Sequence, residues 1–124
     1  LLTLHFLPAP ERLTTLRALK NRLKPGAPFV CAHYSFPTDG AAPDTWLSRA
    51  AAFAIESGVP ASQAIQNIAG LRERLPVLSP DRDEALLGDA GFSDIELFYA
   101  ALALRGWVSY RRGTSAEEGA AIPR

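Results

Sequence analysis

The apolar positions at the start of the chain form a short run and then a helical stripe. Leu1–Leu7 is almost entirely apolar and has no cap before it, so we interpret it as the end of a buried strand. From Pro10 to Leu23, leucines recur at spacings of 3, 3 and 4, which predicts a helix that ends at Lys24-Pro25-Gly26. Basic residues, Arg12 among them, are mostly assigned to its other faces. The stripe consists of Leu13, Leu16, Leu19 and Leu23.

A second apolar run follows the Pro-Gly turn. Pro28–Phe36 contains the uninterrupted stretch Phe29–Ala32, which is typical of a strand covered on both faces. Strand, helix and strand therefore follow one another closely, and a right-handed crossover between parallel strands is the usual arrangement. Cys31 within this run is interpreted as a small buried side chain.

Two helices are predicted as an insertion over about residues 44–76. Asp44 is the expected N-cap of the first, which runs from about Thr45 to Ser57. Its apolar residues cover a broad arc, so this helix is expected to be heavily buried or to face a partner. The second runs from about 61 to 75, with one apolar stripe formed by Ile65, Ile68, Leu71 and Leu75.

The last predicted helix begins after Ser79. Serine as the cap, Pro80 at the first position and acids in the first turn are typical of a helix start, and Gly91 is the expected end. The run Asp81–Glu84 is interpreted as a solvated helix start whose charges suit the helix dipole.

Two extended segments close the predicted domain. Ile95, Leu97 and Tyr99 alternate with other residues, and Trp107–Tyr110 forms another extended run, which together predict an antiparallel strand pair. Arg105-Gly106 is expected in or beside the connecting turn or a bulge, although the exact turn position stays open. Residues 1–112 are thus one α/β unit, and 113–124 are predicted to be a flexible tail.

Composition removes several classes of function. The 124 residues include 13 basic and 13 acidic ones, so the net charge of zero gives no strong nucleic-acid signal. A single cysteine excludes an internal disulfide and a four-cysteine zinc site, and two histidines without a suitably spaced acid predict no metal site. No secretory signal or membrane-spanning run is visible, so a cytoplasmic location without membrane association is expected.

Two phrases carry a resemblance to a known family. Leu13–Val30 resembles the helix–Leu-Lys-Pro-Gly-Gly–strand passage of class I S-adenosylmethionine-dependent methyltransferases, which joins their fourth and fifth strands. Leu86–Phe98 resembles their helix–Ala-Gly-Phe–strand passage, which leads into the sixth strand. The resemblance implies the C-terminal half of a Rossmann-like class I methyltransferase fold. This half has a partial mixed sheet, an antiparallel terminal strand pair and inserted helices.

One branch of that family is the most similar. Leu2–Arg12 and Ala32–Phe36 resemble stretches of the carboxy-S-adenosylmethionine synthases and their methyltransferase relatives. Leu1 stands where those synthases have a cofactor-contacting Asn, and the place of their carboxylate-binding Arg falls near Gly70. Because glycine cannot supply a bidentate cation, these departures argue against carboxy-cofactor synthesis and leave ordinary methyl transfer or no activity.

The resemblance also implies which parts lie outside this sequence. The family's glycine-rich loop and the acid that binds the cofactor ribose precede its fourth strand, and the sequence contains neither. The absence of methionine and the leucine at position 1 likewise indicate a processed chain or a piece of a longer one. We therefore expect S-adenosylmethionine to bind only the complete protein. The isolated chain is expected to be inactive and to need the missing N-terminal half or a dimer partner.

Candidate site residues follow from the rule that ligands sit at the carboxyl ends of strands. Leu1 and Thr3 are candidates for cofactor binding. His5 is a candidate base because its ordinary pKa lies near neutrality, and the alternative is a helix-capping or surface histidine. The substrate-binding candidates, for which strand-end polarity and core packing are the alternatives, are His33, Tyr34, Phe36, Trp46 and Phe53.

Two functions from different classes stay open at this stage. The first is a partial methyltransferase that acts on a small-molecule or modified-nucleotide acceptor when its domain is complete. The second is a non-catalytic binding or assembly module that keeps a methyltransferase-like half-fold, and such a module must cover its exposed sheet edge by pairing with another chain.

Overall fold

A computed structural model of the chain describes residues 1–113, and the order of their helices and strands follows the predicted order from α1 onward. The predicted tail over 113–124 lies, apart from Gly113, outside the described residues. The helices are α1 (Ala9–Asn21), α2 (Ala42–Glu56), α3 (Ala61–Arg74) and α4 (Pro80–Ala90). The strands are β1 (Pro28–Tyr34), β2 (Phe92–Ala101) and β3 (Leu104–Arg111).

The three strands form one sheet in the order β1-β3-β2, and both neighbouring pairs are antiparallel. The predicted antiparallel terminal pair is therefore β2 with β3. Cys31 of β1 and Leu97 of β2 both stand opposite Trp107 of β3. This order makes β1 and β2 run in the same direction, with β3 between them.

The prediction of a buried strand over Leu1–Leu7 is wrong for most of its length. Leu4–Phe6 forms a single 3-10 turn, and Leu1 and Leu2 are largely exposed. Only Leu1 behaves as strand, since its N–H donates to the Val30 carbonyl (3.1 Å) and its carbonyl accepts from the Ala32 N–H (2.8 Å). This is the hydrogen-bond pattern of parallel strands, so Leu1 lies beside β1 in the predicted direction.

The hairpin turn lies at Leu102–Ala103, with Leu102 in the left-handed region at φ 54°. Gly106 is within β3 and stands opposite Tyr99, beside a register shift in β2. A Cβ at Gly106 would lie 3.2 Å from the Tyr99 Cβ and 3.3 Å from the Phe98 ring. The glycine therefore lets the bulged part of β2 cross close to β3.

Helix boundaries follow local capping chemistry in α4 but not in α2. The Ser79 hydroxyl accepts a hydrogen bond from the Arg82 N–H, and Gly91 ends α4 at φ 107°, as predicted. The expected N-cap Asp44 instead lies in the first turn of α2, which begins earlier, at Ala42. Pro43 tolerates a position in that first turn because it needs no N–H partner there.

Two apolar clusters hold the elements together. The larger lies between the sheet and helices α1 and α4; its buried residues are Leu4, Leu16, Cys31, Leu87, Ala90, Phe92 and Trp107. The smaller joins α2 and α3 to the end of β1 and the hairpin turn; its buried residues are Phe36, Leu47 and Ala103. The inserted helices thus pack on the carboxyl end of β1.

Only a small part of the broad apolar arc predicted for α2 is buried. Leu47 is its only fully buried residue, whereas Phe53 and Ile55 are exposed, as is Ile65 on α3. The two helices pack mainly against each other and make few contacts with the other helices and strands, so most of the arc stays uncovered.

Candidate functional site

A buried charged cluster lies behind the carboxyl end of β1. Arg12 of α1 donates from Nη1 to Asp83 Oδ1 of α4 at 2.7 Å, and both side chains are almost completely buried. The second carboxylate oxygen, Asp83 Oδ2, has no hydrogen-bond partner and lies 3.8 Å from Nδ1 of His33. His33 is the predicted substrate-orienting residue, and the structure places it in this cluster, with its ring against Trp107 at 5.3 Å.

Arg12 also fixes the two connections that border the cluster. Its guanidinium donates from Nη2 to the Leu7 carbonyl (3.0 Å) and to the Pro76 carbonyl (3.0 Å), and from Nε again to Leu7 (3.3 Å). Leu7 follows the 3-10 turn, and Pro76 lies in the connection between α3 and α4. One buried side chain thus ties α1, α4 and both connections together, which a planar five-donor group is suited to do.

His5, the predicted base, is buried beside Tyr34 and bonded to the backbone. Its Nδ1 accepts from the Tyr34 N–H at 3.3 Å, and the two rings lie 4.9 Å apart. Because Nδ1 is the acceptor, the neutral ring carries its proton on Nε2 and donates from there. A proton can be accepted at Nε2 only after this tautomer changes.

Burial lowers the pKa of both histidines, which favours their neutral forms. Burial lowers the pKa of His5 below its ordinary 6.5, and the charges of His33 and Arg12 act in the same direction. Burial likewise lowers the pKa of His33; the neighbouring Asp83 and the Tyr34 carbonyl oppose this effect, and Arg12 adds to it. Desolvation thus outweighs the attraction of the carboxylate.

A groove of about 690 Å³ lies between the end of β1 and helix α3. Tyr34 supplies its wall on the strand side, and the remaining lining comes from one face of α3. Those α3 residues and the one after them are Gln66, Asn67, Ala69, Gly70, Leu71, Glu73, Arg74 and Leu75. Tyr34 is thus the one predicted substrate residue among the groove's lining residues.

The remaining aromatic candidates lie elsewhere. Phe36 is buried in the smaller apolar cluster, and Phe53 is 61% exposed on α2. The Trp46 ring is covered by two guanidinium groups, that of Arg49 at 4.8 Å and that of Arg105 at 4.6 Å. Cation–π contacts of this kind stabilise the packing of α2 on the hairpin turn, and none of these three rings lines the groove.

The two predicted cofactor positions lie at the chain start. Leu1 is 46% exposed and hydrogen-bonds to β1 through its backbone, and Thr3 is exposed just before the 3-10 turn. Cys31 is buried in the larger core, where burial raises the pKa of its thiol to about 12, so it is protonated at neutral pH. This agrees with its interpretation as a core side chain.

The Arg12–Asp83 pair was not predicted from the sequence, because both residues were assigned to solvated positions. Arg12 is 1% exposed and Asp83 is 3% exposed. A signal was present in the helical spacing, since Arg12 lies four residues before the buried Leu16 and Asp83 lies four before the buried Leu87. Two opposite charges on apolar helix faces indicate a buried pair.

The described residues offer neither a metal centre nor a membrane crossing. Within 1–113, no group of three or more His, Cys, Asp and Glu side chains can hold a metal ion. None of the helices in that range has the length and apolar character that crossing a membrane requires.

Comparison with solved structures relates this fold to methyltransferases. The chain is similar to the S-adenosylmethionine-dependent methyltransferase SibL in its apo form (TM-score 0.58, 16% identity, 90% of this chain and 29% of SibL). It is also similar to PigF solved with SAH (0.59, 16%, 88% and 28%) and to human N-acetylserotonin methyltransferase in complex with SAM (0.57, 13%, 90% and 28%). No family model and no curated protein matches the chain.

These similarities confirm the predicted fold class. The chain has the α/β fold of part of a class I methyltransferase domain, with an antiparallel terminal strand pair and inserted helices. It spans less than a third of the length of each of these three solved chains. At 13–16% identity the likeness concerns the fold and does not distinguish a branch of the family.

Proposed function

We propose that this chain is part of an S-adenosylmethionine-dependent methyltransferase and forms the acceptor side of its active site. The observation that supports this most directly is the fold, which is shared with enzymes solved in complex with SAM or SAH. The groove adds to this support. It lies at the carboxyl end of β1, where open α/β sheets bind their ligands.

The residues present fit the acceptor side and not the main cofactor cradle. The described part of the chain has no glycine-rich turn between a strand and a helix and no acid placed after such a strand. When bound, S-adenosylmethionine supplies an already activated methyl group. The protein then has mainly to align the acceptor and exclude water.

Three of the candidate residues have a role within this proposal. Tyr34 contacts the acceptor in the groove, and His33 together with Asp83 and Arg12 holds the end of β1 rigid behind it. His5 supports Tyr34 through the hydrogen bond that its Nδ1 accepts from the Tyr34 N–H. A role of His5 as base requires the other tautomer.

Ordinary methyl transfer is favoured over carboxy-cofactor synthesis. Gly70 lines the groove, and a Cβ added there would meet no atom within 4 Å. The position where the resembling synthases place an arginine is thus empty space in this protein. Gly70 itself therefore supplies no cation for the extra carboxylate of a carboxylated cofactor.

Calorimetry on two lengths of the protein tests the proposal. We expect no measurable binding of S-adenosylmethionine by the isolated 124-residue chain. A longer form that includes the residues encoded upstream should bind it and transfer a methyl group to an acceptor. Tight cofactor binding by the isolated chain would contradict the assignment to the acceptor side. A longer form that folds but binds no cofactor would contradict the function itself.

A second candidate function is supported by the surface beside β1. Leu2, Phe6 and Val30 are 65%, 61% and 48% exposed, and the Val30 carbonyl accepts the hydrogen bond from the Leu1 N–H. Such a surface suits a binding or assembly module that pairs with another chain. Light scattering after size exclusion separates the two candidates, since a stable monomer at all concentrations would contradict the assembly role.

A further inference from the structure

The groove has an apolar floor and a polar rim. Tyr34, Leu71 and Leu75 are half-buried and form the floor. The exposed residues of α3 that line the groove are mostly polar and form the rim: Gln66, Asn67, Glu73 and Arg74. A ligand that fits this lining combines an apolar body with polar groups at one side.

The rim carries one charge of each sign. Among residues 1–113, neither Glu73 nor Arg74 has an ion-pair partner, and both line the groove. Arg72, only two residues before Arg74, is different because it pairs with Asp44 of α2 across the helix pair. The rim therefore offers an anion and a cation at consecutive positions in the last turn of α3, and neither is paired with another charged residue within 1–113.

Asn67 adds an oriented donor to the rim. Its side-chain oxygen accepts a hydrogen bond from Gln63 Nε2 at 2.9 Å, on the same helix four residues earlier. The amide nitrogen of Asn67 is then the group that remains for a ligand, and it donates. A ligand carboxylate therefore meets two kinds of donor here, an amide and a guanidinium.

Gly70 leaves space above the floor. A glycine inside a helix is destabilising relative to alanine, and Gly70 has no positive φ that would require it. Close packing does not require it either, since a Cβ would meet nothing within 4 Å. The missing side chain therefore leaves more space in the groove, between the apolar floor and the charged rim.

We propose that the groove binds a small zwitterion with an apolar side chain, of the chemical class of an apolar α-amino acid. Its carboxylate pairs with Arg74, its ammonium group with Glu73, and its side chain lies on Leu71 and Tyr34 in the space left by Gly70. The proposal names the acceptor class for the proposed methyl transfer and rests on that function only for the reaction that follows binding.

Titration of the 124-residue chain followed by amide NMR shifts tests this with three probes of one shape. L-phenylalanine carries both charges, phenylpropionate only the carboxylate and phenylethylamine only the ammonium group. We expect saturable shifts over residues 66–75 with L-phenylalanine, and an affinity at least about tenfold lower for each singly charged probe. Equal affinities for all three, or no saturable shift with any of them, would overturn the proposal.

Matched variants assign the two charges. Arg74→Gln should abolish the advantage of L-phenylalanine over phenylethylamine, and Glu73→Gln its advantage over phenylpropionate. The control Arg72→Gln removes a cation from the same helix end outside the groove and should leave all three affinities unchanged. The same loss in Arg72→Gln as in Arg74→Gln would mean a general charge effect and would refute the assignment.

Filling the groove provides a second, steric test. Gly70→Leu, checked for folding by circular dichroism, should abolish L-phenylalanine binding, and the smaller Gly70→Ala should keep most of it; full binding by Gly70→Leu would refute the proposal. The binding experiments use no cofactor. A longer protein that fails to transfer methyl groups would therefore contradict the proposed function. The zwitterion site would still be decided by the binding experiments alone.

Discussion

At the scale of single residues, the cluster around Asp83 is the part of the molecule under the greatest electrostatic constraint. Its carboxylate has one strong partner, Arg12, and one oxygen that faces the neutral His33 at 3.8 Å. A buried charge has lost its interaction with water, so removing its ion-pair partner strongly destabilises the folded state. The arginine is therefore required both for the carboxylate and for the two connections that it holds.

Replacing Arg12 by methionine should lower the free energy of unfolding by about 3–5 kcal/mol, because it leaves the Asp83 charge buried without a partner. Urea denaturation measures this change. The double variant Arg12→Met/Asp83→Leu removes both charges and should lose clearly less than the single variant. A loss below about 1 kcal/mol in Arg12→Met, or a double variant that is no more stable than the single one, would contradict this account.

Two glycines should respond to alanine in opposite directions. Gly91 ends α4 at φ 107°, in the left-handed region, so Gly91→Ala should cost about 1–2 kcal/mol of stability. Gly70 has an open position on a helix, so Gly70→Ala should raise stability by about 0.5–1 kcal/mol. Thermal unfolding followed by circular dichroism measures both, and a shift of the same sign for the two variants would contradict the assignment.

At the scale of elements, local chemistry decides the ends of α4, and packing decides what α2 and α3 bury. Ser79 and Gly91 bound α4 as their residue types predict. The apolar residues of α2 and α3 exceed the area that the rest of the chain covers, and Phe53 and Ile65 stay largely exposed. Helical periodicity shows which residues share a face, but it does not show how much of that face a neighbour covers.

Removal of the α4 cap should be measurable by itself. Ser79→Ala deletes the hydroxyl that accepts from the Arg82 N–H, so we expect a loss of about 1 kcal/mol in the free energy of unfolding. Ser48→Ala, at an exposed position inside α2, is the matched control and should change stability by less than about 0.5 kcal/mol. Equal effects of the two substitutions in urea denaturation would argue against the capping role.

At the scale of the whole molecule, the strand order decides where the site lies. With β3 between β1 and β2, the carboxyl end of β1 lies near the hairpin turn, and the helix pair covers this end through Phe36 and Leu47. The groove lies between Tyr34, the last residue of β1, and helix α3. Residues more than thirty positions apart in sequence thus share one site.

The whole fold should also respond to pH through its two histidines. Both have a pKa lowered by burial, so the folded state resists their protonation. As the pH falls below about 6.5, the unfolded chain binds protons that the folded chain does not, and stability decreases. Urea midpoints between pH 7.5 and 5.5 should therefore fall with pH.

The double variant His5→Gln/His33→Gln is the control for this titration. It should show a flatter profile over the same range, because glutamine does not titrate. A midpoint that rises as the pH falls from 7.5 to 5.5 would mean that the folded state binds protons more tightly than the unfolded one. That result would contradict the direction of both pKa shifts.

The sequence by itself determined the order of helices and strands from α1 onward, the cap and end of α4, and the burial of Cys31. These features depend on residue type and spacing over one or two turns. At those positions each residue adopts the conformation or burial that is typical of its type. The prediction of a strand over Leu1–Leu7 was wrong because an apolar run does not distinguish a strand from a 3-10 turn. The Leu-Lys-Pro-Gly and Ala-Gly-Phe phrases added the fold class.

Only the tertiary structure decided that Arg12 and Asp83 form a buried pair. It also decided that Tyr34 is the one predicted substrate residue that lines the groove. Likewise, only the tertiary structure places two guanidinium groups over the Trp46 ring. The physical reason is that burial and charge pairing depend on which faces meet. Arg12 and Asp83 are 71 positions apart; helical spacing places each on an apolar helix face, but it does not show that these two faces meet.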